Sequence, residues 1–163
     1  MKFRKHLISS LLVITLSGLT LSPSAQEVKR TPLRENQPLA VKRTPLPTNH
    51  PLIGSWRIEV PGTSCYETYS IKADGTRSVT SAEEVVESEF EITSEPSEKG
   101  FYKWVDKITK DNGKPDCMGG VSEIGHVATN YIIIHPSKRM FLMCETEDLQ
   151  SCIGPFILQG SGT

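Results

Sequence analysis

The sequence predicts an all-β domain, an eight-stranded antiparallel up-and-down barrel, preceded by a disordered Pro-rich tail. Three observations carry this. From about residue 53 onward apolar residues recur with period two, and the 3.6-residue period of a helix is absent. Turn-forming residues punctuate that stretch at hairpin spacing. Four cysteines, Cys65, Cys117, Cys144 and Cys152, all lie within it, an even number that reads as two disulfides in an exported chain.

The strands follow from alternation. Trp56, Ile58 and Val60 alternate with Arg57 and Glu59; Val86, Phe90 and Ile92 alternate with Glu87, Glu89 and Glu91; Tyr102, Trp104 and Ile108 alternate with Lys103 and Lys107. Turns are signalled at Pro61-Gly62, Asp74-Gly75, Glu95-Pro96, Asn112-Gly113, Pro136-Ser137 and the 146–151 loop. Strands are expected near 53–60, 65–72, 76–82, 85–94, 100–110, 124–135, 138–145 and 152–159. Closure would remove the exposed sheet edges; an open sandwich is the other arrangement the pattern allows. The core of so small a domain is modest, so each disulfide matters, at about 2–4 kcal/mol.

Residues 1–25 have the layout of a secretory signal. Lys2, Arg4 and Lys5 precede an apolar run from Leu7 to Leu21, and the small residues Ser22, Ser24 and Ala25 follow. The run is shorter than the ~20 residues of a membrane span, and no cysteine near the cleavage site could take a lipid. A periplasmic or secreted location is expected, with no transmembrane segment. Cleavage after Ala25 leaves 15 bases against 19 acids, a net charge of −4.

Residues 26–52 form a basic, Pro-rich linker. It holds a tandem 13-residue copy, Val28–Ala40 and then Val41–Ile53, each with the pattern VKRTPL followed by N-x-PL. Its prolines forbid a regular helix or an interior strand and favour extended chain. The linker carries a net charge of +3 and the barrel domain, 53–163, carries −7. The linker is either a spacer enlarged by duplication or a cationic arm touching an envelope surface. An acidic domain with no basic–aromatic strip points away from nucleic acid.

Facing follows from the same period. With Tyr69 and Ile71 inward, Cys65 and Glu67 are inward; with Trp104 and Ile108 inward, so is Asp106. A three-residue Ala73-Asp74-Gly75 turn with a Gly bulge puts Arg77, Val79 and Ser81 inside as well. The candidate ligand-binding residues are therefore Trp56, Glu67, Tyr69, Tyr102, Trp104 and Asp106, whose carboxylates would select a cationic or hydroxyl-rich small molecule. The competing reading is a filled core in which Glu67 and Asp106 pair with Arg77 or backbone donors, because an unpartnered buried carboxylate costs several kcal/mol.

Other chemistry finds little footing. Gly120-Val-Ser122-Glu-Ile-Gly125 misses the G-x-S-x-G elbow by one residue. Asp111-Asn-Gly-Lys-Pro-Asp116 lacks the later ligands of a calcium loop. His126 and His135 fall on opposite faces of a regular strand, and the cysteine spacings match no CxxC metal pair, although a four-thiolate zinc site is a formal alternative. No enzyme activity, metal or cofactor is expected.

In a meander, odd-to-even connections share one rim, and that rule collects all four cysteines at one end. This favours Cys144–Cys152 across its own hairpin and Cys65–Cys117 across the rim, with two other pairings open.

Gly54-Ser55-Trp56 on the first strand resembles the G-x-W motif of lipocalins and the wider calycin barrels. The Cys65-Tyr-Glu-Thr-Tyr69 strand, the Asp74-Gly-Thr76 turn and the Gly113-Lys-Pro-Asp-Cys117 loop are similar to small lipocalin-like proteins exported by Gram-negative bacteria. The resemblance covers about residues 52–159. It implies an open mouth at the connection between strands 1 and 2, a periplasmic address and a binding function in the barrel. It also admits a second function, because exported barrels of this size include inhibitors of lysozyme. The acidic mouth residues Asp111, Asp116, Glu145, Glu147 and Asp148 would then meet a cationic protein partner.

Overall fold

The computed structural model describes residues 41–160. Eight strands follow one another: β1 (Gly54–Glu59), β2 (Tyr66–Ile71), β3 (Thr76–Ser81), β4 (Glu84–Ile92), β5 (Tyr102–Asp111), β6 (Val127–Ile134), β7 (Met140–Cys144) and β8 (Cys152–Leu158). Each pairs antiparallel with the next, and β8 returns to β1 through Trp56↔Leu158 and Arg57↔Ile157. The sheet is a closed barrel rather than a sandwich.

Alternation sets which side chains fill it. Trp56, Ile71, Phe90, Trp104, Ile132, Phe141 and Phe156 are buried, while Arg57, Glu87 and Lys103 on the same strands are not. Phe90 stacks on Trp104 with ring centroids 4.0 Å apart, and Phe141 stacks on Phe156 at 4.5 Å. Trp56 meets Phe141 edge-on at 4.8 Å. One irregularity falls in the β4–β5 ladder, where Glu87 pairs with Lys110 but Ser88 pairs with Ile108. The extra residue, Thr109, donates its hydroxyl to the Glu87 carbonyl at 3.1 Å.

The end holding the β2–β3 turn is closed by the second repeat copy. Residues 41–53 contain no strand or helix, as their prolines require, but they are packed rather than free. The Thr44 amide donates to the Phe90 carbonyl (3.2 Å) and the Leu46 amide to the Ala73 carbonyl (2.7 Å). Leu46 and Leu52 are buried in the core, and the Leu52 carbonyl accepts Trp56 Nε1–H at 2.8 Å. This strap passes close over Gly75, whose φ is +82° and where a Cβ would come within 2.6 Å of Arg43 Cγ. The expected signal segment and the first repeat copy lie outside the described residues.

Both disulfides form at the opposite rim. Cys65 joins Cys117, and Cys144 joins Cys152, its direct cross-strand partner. The first ties the β5–β6 loop to the start of β2; the second closes the β7–β8 hairpin.

Candidate functional site

A set of polar side chains lies inside the barrel among the aromatic core residues. It begins on β2 and β3, where the period-two face that buries Ile71 and Val79 also carries Glu67, Tyr69, Arg77 and Ser81. Glu67 accepts from the Ser81 hydroxyl (2.8 Å) with one oxygen and from the Tyr69 hydroxyl (2.9 Å) with the other. Burial, reinforced by the Glu67 carboxylate, pushes the Tyr69 phenol well above its usual range, so it stays a donor.

Asp106 on β5 supplies the second carboxylate. It is fully buried, accepts from Arg77 Nη2 at 2.6 Å and from Trp104 Nε1 at 3.0 Å. The Arg77 guanidinium also sits 5.5 Å from the Tyr69 ring centroid. Its side chain is 13% exposed against 3% for Asp106, so the pair is shielded from water and salt.

The six candidate residues therefore divide. Glu67, Tyr69, Asp106 and the Trp104 indole nitrogen meet in the polar layer. Trp56 does not join them; its nitrogen is spent on Leu52 and its ring on Phe141. Tyr102 stands beside the strap, 6.0 Å from the His50 ring. Burial there holds the His50 pKa below its usual value.

Among the described residues, two atoms of the layer have no partner. Arg77 Nε and Ser88 Oγ are buried and make no hydrogen bond, and their residues face each other in the β3–β4 register. Ser88 is missing from the set drawn from the sequence. Its signal is available there, because Val86 and Phe90 inward place Ser88 inward too.

Above the layer the β5–β6 loop, residues 112–126, lies against the β3–β4 hairpin. The Cys117 amide donates to Ser81 Oγ (3.0 Å), and the Ser122 amide to Glu84 Oε1 (2.7 Å). Asn112 adds its side-chain amide to the Glu83 carbonyl at 2.9 Å. Asp116 shapes the loop itself, accepting from the amides of Met118 (2.8 Å) and Gly120 (2.7 Å). Asp148 likewise serves its own turn, accepting from the Gln150 amide and the Thr146 hydroxyl, each at 2.8 Å. The mouth carboxylates are thus engaged in loop structure to differing degrees.

No family model, curated protein or solved structure matches this chain. The architecture, an eight-stranded antiparallel closed barrel, is consistent with a lipocalin-like fold. The two disulfides are consistent with an extracytoplasmic protein, and no helix among the described residues is long and apolar enough to cross a membrane.

Proposed function

We propose that this protein is an extracytoplasmic, non-catalytic binding protein that holds a small hydroxyl-bearing ligand in the polar layer of a lipocalin-like barrel. The observation that carries the reading is the pair of unpartnered atoms, Arg77 Nε and Ser88 Oγ. Leaving a buried donor unpaired costs about 1–3 kcal/mol, and such groups are rare in folded proteins. A ligand oxygen placed between them would accept from Arg77 and exchange a hydrogen bond with Ser88.

The chemistry of the layer narrows the ligand. Glu67 and Asp106 are already satisfied by Ser81, Tyr69, Arg77 and Trp104, so they offer little to a cation. A neutral polyol or a hydroxylated ring fits better than the cationic class. Carboxylates committed to these donors are poorly placed to exchange protons with a substrate, which supports binding over catalysis. Docking onto a cationic enzyme is the less favoured function, since Asp116 and Asp148 are drawn into their own turns.

Native followed by denaturing mass spectrometry of the mature protein from its host's extracytoplasmic fraction tests the proposal. A bound mass lost on denaturation is the expected result. The bare chain mass under native conditions, across several growth media, would overturn it.

A further inference from the structure

The barrel end that the strap closes is a shaped seat, and residues 41–46 are what it holds. Two backbone donors reach it, the Thr44 amide to the Phe90 carbonyl (3.2 Å) and the Leu46 amide to the Ala73 carbonyl (2.7 Å). Between them stands Pro45, which has no amide to leave unpaired. The Leu46 side chain is buried in the core, and Arg43 reaches Glu89 of β4 at 3.8 Å. Thr44 braces the segment by donating its hydroxyl to the Lys42 carbonyl at 3.1 Å. Gly75 is the floor: a Cβ there would stand 2.6 Å from Arg43 Cγ and 2.9 Å from the Thr44 carbonyl oxygen.

The chain carries each of these strap residues twice. Residues 28–33 read Val-Lys-Arg-Thr-Pro-Leu, as residues 41–46 do, so Arg30, Thr31, Pro32 and Leu33 repeat Arg43, Thr44, Pro45 and Leu46. Beyond that leucine the copies diverge. Arg34-Glu35 stands against Pro47-Thr48. His50, whose Nδ1 accepts the Leu52 amide at 3.3 Å, has Gln37 as its counterpart, and Ile53, packed against the core, has Ala40.

We infer that the seat is a recognition site for this hexapeptide and that the first copy, residues 28–33, is its second occupant, able to replace residues 41–46. The exchange is independent of any ligand inside the barrel. Residues 47–53 keep their place in it, because Leu52 is buried and its carbonyl holds Trp56 Nε1–H at 2.8 Å. Residues 34–46 then leave the barrel as a 13-residue loop that runs from Leu33 in the seat to Pro47 beside it. The seat meets the same side chains and the same donors in both registers, so closure of that loop sets the difference between them. Loop entropy at this length favours the resident copy on the order of a hundredfold. The first copy is therefore a reserve. One copy can engage another surface while the other keeps the barrel end shut.

Aspartate substitutions in the whole mature protein, followed by amide hydrogen exchange and urea titration, test the exchange. An aspartate in the resident register would bury a carboxylate against the core, which disfavours that register by more than the loop disfavours the other. In Leu46→Asp the Thr31 and Leu33 amides should therefore become more protected than in the parent protein, and proteolysis should fall within residues 34–46. Leu33→Asp alone should change neither stability nor protection. Leu33→Asp/Leu46→Asp should lose the protection at Thr31 and fall about tenfold further in folding equilibrium constant than the single changes sum to. Leu39→Asp/Leu46→Asp, whose first substitution lies in the extruded loop, should match Leu46→Asp. Leu46→Ala only underfills the seat and reads the same exchange should Leu46→Asp not fold, with Thr31 gaining protection as Thr44 loses it. A Thr31 amide no more protected in either variant than in the parent, or a Leu33→Asp effect that is the same with and without the change at Leu46, would overturn the inference.

Discussion

Arg77 and Asp106, 29 residues apart in sequence, meet at 2.6 Å inside the barrel and tie β3 to β5 across β4. Neither is exposed enough to fall back on water, so each depends on the other. Removing one partner should cost about 3–5 kcal/mol, because the survivor becomes an uncompensated buried charge. Arg77→Met and Asp106→Leu should each destabilise to this degree in urea titrations. The double variant should recover most of the loss. A double variant as unstable as the sum of the singles would show that the two residues are not coupled.

Ser88→Ala tests the unpartnered hydroxyl without disturbing a bond. That hydroxyl is buried and unpaired, so the substitution should leave stability unchanged or raise it by about 1 kcal/mol. Ligand retention in native mass spectra should fall about tenfold, the equivalent of one lost hydrogen bond. A loss of stability beyond about 1 kcal/mol would mean that the hydroxyl is satisfied within the fold, and the ligand argument would go with it.

The barrel is legible in the sequence because its signal is local. The glutamates alternating with Val86, Phe90 and Ile92 fix one face of β4, and the expected strand boundaries lie within about three residues of those observed, the ordinary uncertainty of element ends. The disulfide pairing favoured by the rim rule is the one formed, since in a meander the parity of a connection decides its end. The same period places Glu67, Tyr69, Arg77, Ser81 and Asp106 inside. It does not supply the partner of each, because cross-barrel contacts depend on register, which no single strand encodes. Glu84, two residues before Val86 and buried in phase with it, is placed inward by the same period as Ser88. The packed strap escapes it for a different reason. Proline excludes hydrogen-bonded secondary structure, but it says nothing against an extended chain lying on a hydrophobic groove.

That strap gives a prediction of its own. Leu46 closes the barrel end, and its amide is bonded to Ala73 over the Gly75 turn. Leu46→Ala should cost about 2–3 kcal/mol, toward the lower part of the range for buried leucine because the site lies at the edge of the core. Gly75→Ala should act on the same contact from below, since an alanine must take a φ of +82° and its Cβ meets Arg43 and the Thr44 carbonyl. Both variants should increase protease sensitivity between residues 41 and 50 while far-ultraviolet circular dichroism stays that of an intact barrel. Unchanged cleavage in both would show that the strap is not held by these contacts.

The two disulfides should differ in worth even though both sit at one rim. Cys65–Cys117 spans 52 residues and Cys144–Cys152 spans 8. Loop-closure entropy in the unfolded chain then assigns about 4 kcal/mol to the first and about 2.5 kcal/mol to the second. Removal of the long crosslink as Cys65→Ser/Cys117→Ser should therefore lower the urea midpoint more than Cys144→Ser/Cys152→Ser. The long crosslink has a second effect that the short one lacks. It anchors the β5–β6 loop beside Ser81, so its loss should also abolish exchange protection of the backbone amide at position 117, which the substitution leaves in place. A larger loss from the short crosslink would show that native contacts of the β7–β8 hairpin outweigh the entropy of the unfolded chain. Cys144 is the more buried partner of that hairpin, at 1% exposed, so the comparison is best repeated with Cys144→Ala/Cys152→Ala to exclude the cost of burying a hydroxyl.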